Sequence, residues 1–251
     1  MQKEELLFQK RLIELSNTAY QRGIPTFTDF LNLNELNILH IIPKNQLFTA
    51  YRIFGGYELS ERQIVAFIPD AFSGEINYPI KILKISPLNT KFSEPITHRD
   101  YLGAILNLGI ERNKIGDILV NENEAVIFVN NAMHIFIKSE LTRIKHTTIK
   151  TTTSDSGEFQ VSPKYEEIKG SVTSIRLDSL LSLAYSSSRS KLVTLIESGK
   201  VFVNGRLITT NSYQLKVEDI ISVRGIGKFS YKGIVSTTKK GRYYVMLCKY
   251  I

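Results

Sequence analysis

Residues 176–208 read RLDSLLSLAYSSSRSKLVTLIESGKVFVNGRLI, and their spacing decides the fold of the C-terminal part of the chain. Leu177, Leu180, Leu181 and Ala184 recur at helical period on one face. Ser187 or Ser188 is placed to cap a second helix, whose inner face is Leu192, Leu195 and Ile196 and which Gly199 ends. VFVNG (201–205) is then a strand entering a tight turn at Asn204-Gly205, residues that accept the positive φ such a turn demands. Farther on, DIISVR (219–224) forms another strand, and 229–236 pairs with 243–250 in a hairpin closed by TTKKGR (237–242). Leu177, Leu181, Leu195, Ile196 and Val203 are the expected core of this unit.

Charge singles out the same stretch. The 251 residues carry 32 Lys and Arg against 24 Asp and Glu, a net of +8. Residues 176–251 hold 13 basic and 4 acidic side chains, whereas 1–75 hold 7 and 9 and 76–160 hold 10 and 9. A strongly basic unit on a near-neutral body predicts a polyanion-binding module. Its candidate RNA contacts are Arg176, Arg189, Lys191, Lys200, Arg206, Arg224, Lys228, Lys239, Lys240 and Arg242. Arg189 and Lys191 beside Lys200 and Arg206 are expected to form one compact face for the phosphates of a structured RNA. Asp178 reads as a structural partner rather than a catalytic acid, and Arg176 could contact RNA or brace Asp178. RGIGKF (224–229) lacks the lysine-serine/threonine ending and following helix of a phosphate loop, so a Gly-rich bend near RNA or a strand bulge fits better. TTKKGR suits a peripheral RNA contact or a solubilising turn equally well.

Upstream, residues 3–22 read as an amphipathic helix with Leu6, Leu7, Ile13 and Tyr20 near one face. A second helical piece follows Thr28 and runs to about Ile42, and 46–54 and 62–68 read as strands separated by Gly55-Gly56 and a turn. Residues 76–155 show strand 79–86, helix 98–108 with Thr97 and Asp100 at capping-box spacing, strands 117–120 and 125–129, a helical or mixed segment over 132–144, and a Thr-rich strand 146–153. That is the β-α-β-β-α-β plan of ferredoxin-like and RRM-like domains, without the aromatic signature of an RNA-reading sheet. Four parts result: an α+β unit (1–75), a ferredoxin-like domain (76–155), a linker (156–175) with an edge strand near 167–173, and the basic unit (176–251). The fold class is α+β.

Arg176-Leu177-Asp178, Ser188-Arg189, Gly199 through Gly205, and Asp219 through Val223 together resemble the small RNA-binding domain first known from ribosomal protein S-four. FGGYELSERQIVAFIP (54–69), HRDYLGAILNLGIERNKIGDILV (98–120), ISVRGIGKF (221–229) and TKKGR (238–242) extend the resemblance over nearly the whole chain, to the bacterial YlmH family. The resemblance implies a cytoplasmic, non-enzymatic RNA-binding factor whose middle domain is RRM-like. Members of that family associate with the large ribosomal subunit carrying peptidyl-tRNA in the rescue of stalled nascent chains, so rRNA and tRNA are the implied partners. The family name has also been tied to cell division through gene neighbourhood.

Other chemistry finds little support. No apolar run approaches the roughly 20 residues of a membrane-spanning helix, and the charged start is unlike a secretory signal. The single cysteine, Cys248, excludes an intramolecular disulfide, which makes a reducing, cytoplasmic location the expectation. His98-Arg99-Asp100 spells the kinase catalytic tripeptide, but position 105 is Ile where a kinase needs Asn, and no Gly-rich loop with a strand lysine precedes it. The four histidines lack metal-ligand spacing, so neither metal nor cofactor is expected. Two classes remain: a non-catalytic ribosome- or tRNA-binding factor, and an RNA-modifying enzyme (pseudouridine synthase or methyltransferase) using the basic unit as a targeting arm. The second needs a catalytic domain that residues 1–160, split into two small units, do not suggest.

Overall fold

Burial along the first helix, α1 (Lys3–Arg22), follows Leu12, Ser16 and Ala19; of the Leu6, Leu7, Ile13 and Tyr20 face expected from hydropathy, Ile13 packs against this core half-buried. In the computed structural model, which describes residues 3–89, 94–122, 124–155, 165–239 and 241–250, Leu6, Leu7 and Tyr20 are exposed. The reason is polar. Ser16 Oγ accepts the N–H groups of Phe48 and Thr49 at 2.8 and 3.1 Å, and a satisfied serine can sit inside where periodicity would not place it. Next come β1 (Thr26–Phe27), α2 (Leu33–Ile41), β2 (Ala50–Phe54) and β3 (Ile64–Ile68), the strands pairing antiparallel in the order β1-β3-β2. The helix expected from Thr28 begins only at Leu33, because Asn32 caps it reciprocally with Glu35. Thr28 and Leu31 instead extend along β3, through bonds to Val65 and Gln63.

The chain continues as β4 (Ile80–Pro87), α3 (His98–Leu106), β5 (Ile115–Asn121), β6 (Glu124–Asn130), α4 (His134–Glu140), β7 (Arg143–Ile144) and β8 (Thr147–Asp155). The sheet runs β5-β6-β4-β8-β7, all antiparallel, which is the split β-α-β arrangement with first and third strands at its centre. Leu83, Ile85, Ile127 and Val129 face Tyr101, Ile105 and Ile137 of the helices. On the helix-free face, Ile80, Ile82 and Phe128 pack against Phe30 and Ile64 of the N-terminal segment. RNA-recognition sheets read bases on that face; here the Tyr57 ring is stacked on Phe128 with centroids 5.0 Å apart. Residues 1–75 and 76–155 thus share a core within one compact unit, Met1–Val161.

A clasp joins the two halves of that unit. The Asp117 carboxylate on β5 accepts the Tyr57 hydroxyl at 2.7 Å and the N–H groups of Glu61 and Arg62 at 2.7 and 3.0 Å. Arg62 then reaches the carbonyls of Ile115 and Phe30, both at 2.9 Å. Gly56, at φ +103°, lies so close to Phe128 that a Cβ would land on the ring. The Gly55-Gly56-Tyr57…Glu61-Arg62 block therefore serves as an architectural joint.

At α3, the Asp100 carboxylate accepts the backbone N–H and hydroxyl of Thr97 at 2.8 and 2.6 Å and lies 2.8 Å from Lys145 Nζ. His98-Arg99-Asp100 is a helix start, and Asp100 is occupied as its cap.

The second unit, Ser162–Ile251, contains β9 (Tyr165–Val172), α5 (Leu177–Tyr185), α6 (Arg189–Glu197), β10 (Val201–Val203), β11 (Arg206–Leu207), β12 (Ile220–Val223), β13 (Gly227–Thr237) and β14 (Tyr243–Tyr250). One antiparallel sheet has the order β11-β10-β12-β13-β14-β9, so β9 completes the sheet across a chain separation of more than 70 residues. Leu177, Leu180, Leu181, Leu192 and Ile196 of the helices pack on Val201, Val203, Ile221, Phe229 and Leu247 of the strands. Asn204 and Gly205, at φ 50° and 77°, make the tight turn between β10 and β11.

Two stability outcomes are expected. Tyr57→Phe should cost about 1–3 kcal/mol, because it removes a hydrogen bond to a carboxylate; Gly56→Ala should cost at least as much, through overpacking and backbone strain. Both are measured by urea unfolding of the full chain, and a parent-like midpoint for Gly56→Ala would contradict the clasp. Asp100 is held down to about 2 from its ordinary 3.8, first by Lys145 and then by Thr97. Its folded-state value is depressed, so its contribution is complete above about pH 3.8 and disappears as pH falls toward 2. The melting-temperature gap between the parent and Asp100→Asn should therefore be widest above pH 4 and close toward pH 2.

Candidate nucleic-acid interface

The basic unit places two helix starts side by side. α5 opens after Arg176, whose backbone is extended, and the N–H groups of Leu177 and Asp178 are taken by the carbonyls of Tyr213 and Asn211. α6 opens after Ser188, the expected cap position, yet the Ser188 hydroxyl lies 3.2 Å from Ser190 Oγ and caps no backbone group. The first turn of α6, with Arg189 and Lys191 exposed on it, thus lacks a side-chain cap. Uncapped N–H groups and the helix dipole favour an anion there.

Between the two starts sits Asp178, buried, with its carboxylate gripped at two points by Arg176: Nε to Oδ1 at 3.2 Å and Nη2 to Oδ2 at 3.3 Å. Asp178 Oδ1 also accepts the Ser179 N–H at 2.9 Å. The buried Ser179 hydroxyl, 3.5 Å from Asp178 Oδ1, accepts Arg189 Nη2 at 3.0 Å. One carboxylate therefore anchors Arg176 directly and Arg189 through a single hydroxyl. Two guanidiniums converge on one negative charge, which leaves a net positive cluster whose remaining N–H donors suit phosphate oxygens. Ser179 was not legible in the sequence as part of this site, since a serine beside an aspartate carries no signal for a guanidinium ten residues on.

The other candidates lie elsewhere in the unit. Val201 and Val203 face the helices, so the alternation puts Lys200 and Phe202 on the helix-free face of the sheet. Arg224 lies opposite Lys200, its N–H bonded to the Lys200 carbonyl at 2.9 Å, and Lys228 pairs with Ser222 on the same face. Arg206, paired with Val203, is exposed at the β10–β11 turn. Lys200 and Arg206 thus follow from different elements than Arg189 and Lys191, and register assigns Lys200 to the face away from the helices. Lys239 and Arg242 are exposed at the β13–β14 tip, with Arg242 Nη2 donating to the Ser171 carbonyl at 3.1 Å; Lys240 lies outside the described residues. RGIGKF is the β12–β13 turn, with Gly225 and Gly227 at φ 76° and 142°.

Among the described residues, no group of three or more His, Cys, Asp and Glu side chains is arranged to hold a metal ion. No helix among them is long and apolar enough to cross a membrane. Cys248 is buried, and burial pushes its thiol up.

Comparison with known proteins follows the same division. Residues 74–158 match the family model described as "Putative RNA-binding domain in YlmH", and residues 175–221 match the S4 domain. A Bacillus subtilis protein named "Ribosome-associated protein quality control protein P2" is 27% identical over 247 residues, covering 97% of this chain and 94% of that one. The solved structure titled "Cell division protein ylmH from Streptococcus pneumoniae" superimposes with a TM-score of 0.53 at 25% identity, over 63% of this chain and 95% of that one. The chain thus carries a YlmH-type RNA-binding domain over residues 74–158 and an S4 domain over residues 175–221.

Proposed function

We propose that this protein is a non-catalytic, cytoplasmic RNA-binding factor that holds structured rRNA or tRNA on the large ribosomal subunit during rescue of stalled nascent chains. The observation that carries the reading is the Arg176–Asp178–Ser179–Arg189 network inside an S-four domain, beside the uncapped start of α6. The name of the Bacillus subtilis relative, which aligns along almost the full length of both chains, supports the ribosomal setting. Backbone and shape contacts dominate recognition of paired RNA, and a preorganised guanidinium pair with Lys191 serves that mode. A carboxylate clamped by arginine is poorly placed to transfer protons, so Asp178 supports binding rather than catalysis.

Arg189→Ala with Lys191→Ala should lower the melting temperature only slightly, because both side chains are exposed and Arg189 gives up one bond to the Ser179 hydroxyl, and should weaken binding to ribosomes and to a structured RNA at least tenfold. Parent affinity should fall by orders of magnitude between about 50 and 200 mM salt, and the double variant should show a shallower slope by up to about two units on logarithmic axes. Normal co-sedimentation of the double variant with ribosomes at fixed salt would reject this site.

Ser179→Ala tests the relay. It should weaken RNA binding a few-fold in the parent and add nothing in an Arg189→Ala background, since its effect passes through Arg189. Equal losses in both backgrounds would assign Ser179 a purely structural role.

A further inference from the structure

The helix-free face of the C-terminal sheet carries a row that the helix-end cluster does not use. Phe202 of β10 lies opposite Ser222 of β12, and Ser222 opposite Lys228 of β13. On the far side of β13, Tyr250 of β14 lies opposite Tyr165 of β9. Lys228 Nζ is 5.8 Å from the centroid of the Tyr250 ring, which joins the two halves of the row. It crosses five strands, roughly 19 Å at about 4.8 Å per strand spacing.

We propose that this row is a second RNA surface, one that stacks unpaired nucleotides on Arg224, Tyr250 and Tyr165. The proposal rests on the RNA-binding reading above and adds to it a different class of RNA.

Three features carry it. Arg224 holds its guanidinium 5.7 Å from the centroid of the Phe202 ring. Phe202 is 0% exposed although it points away from the helices, while Arg224 itself is exposed, so the planar cation is backed by a ring and open to solvent. Tyr250 is pinned: its hydroxyl lies 3.3 Å from Ser230 Oγ, which draws the ring along the sheet rather than letting it stand free. Tyr165 is 54% exposed at the end of the row. Nucleobases present π-faces to aromatic rings and guanidinium planes only when they are unpaired and unstacked, and a sheet of this width stacks two or three of them. Electrostatics agree: Glu167, the acid on this face nearest Tyr165, is paired with Lys169 at 3.0 Å, so it does little to offset Lys200, Arg224 and Lys228 at the other end. A protein partner would call for exposed aliphatic side chains here, and the row consists of rings, cations and serine.

The experiment uses the full chain and two fluorescent RNAs, a short oligoadenylate with no secondary structure and a fully paired RNA hairpin, read by anisotropy at one salt concentration. Tyr165→Ala and Arg224→Lys should each weaken oligoadenylate binding about tenfold, the scale of one base–aromatic stack, and leave hairpin affinity within about twofold. Tyr165→Phe, which keeps the ring, should bind like the parent. Arg189→Ala with Lys191→Ala should show the opposite pattern. Circular dichroism of each variant checks the fold. If the parent binds the hairpin but not oligoadenylate, the stacking surface is overturned and the helix-end site stands; if it binds neither, the RNA-binding reading falls as well. Parent-like oligoadenylate binding by Arg224→Lys would mean that charge alone is at work, and would also overturn the proposal.

Discussion

Asp178 is a carboxylate taken out of water at the start of α5, and its charge must be met there. Arg176 meets it at two points, and the backbone and hydroxyl of Ser179 add to the shell. The consequence reaches beyond the local ion pair. Because the Ser179 hydroxyl also receives Arg189, the geometry of α5 is transmitted to α6, and two basic side chains with long, mobile stems are restrained together. Restraint before binding lowers the ordering cost of gripping a phosphate. The neighbouring N–H groups of Leu177 and Asp178 are taken by the carbonyls of Tyr213 and Asn211, which ties the 209–214 loop to the helix start.

A comparable logic operates in the N-terminal unit with a different outcome. Asp117 gathers three donors from the loop carrying Gly56 and Tyr57, and the result is a joint. Burial and the nearby Asp117 charge both push the Tyr57 hydroxyl up, so it remains a donor at any ordinary pH. Arg62 and Arg112 lie close enough that burial, followed by their mutual repulsion, holds Arg112 down to about 10, and backbone carbonyls stabilise both. The joint covers much of the face that a free RRM-like sheet would offer to RNA.

Much of the architecture was legible because it follows from short-range rules. The Thr97–Asp100 cap spacing, the Asn204-Gly205 turn, the two leucine-faced helices and the β-α-β-β-α-β order all rest on patterns that one stretch of chain carries by itself. Reading failed where a polar contact overruled hydropathy. Ser16 is buried in α1 because Phe48 and Thr49 need an acceptor, and Leu6 and Leu7 are left outside. The capping box at Asn32 shortened a helix that the apolar pattern would have started earlier.

The candidate site divides the same way. The sequence by itself determined that the C-terminal unit is basic and that it has the S-four pattern, because charge and motif spacing are properties of the linear chain, but it grouped Arg189 and Lys191 with Lys200 and Arg206 and left Arg176 between RNA contact and bracing Asp178. Which cations share a surface was decided only by the tertiary structure. Sheet register sends Lys200, Arg224 and Lys228 to the face opposite the helices, and the bond between Ser179 and Arg189 unites residues ten positions apart. Register and side-chain relays depend on pairing between distant segments, such as β9 with β14, and no local pattern in either segment specifies its partner.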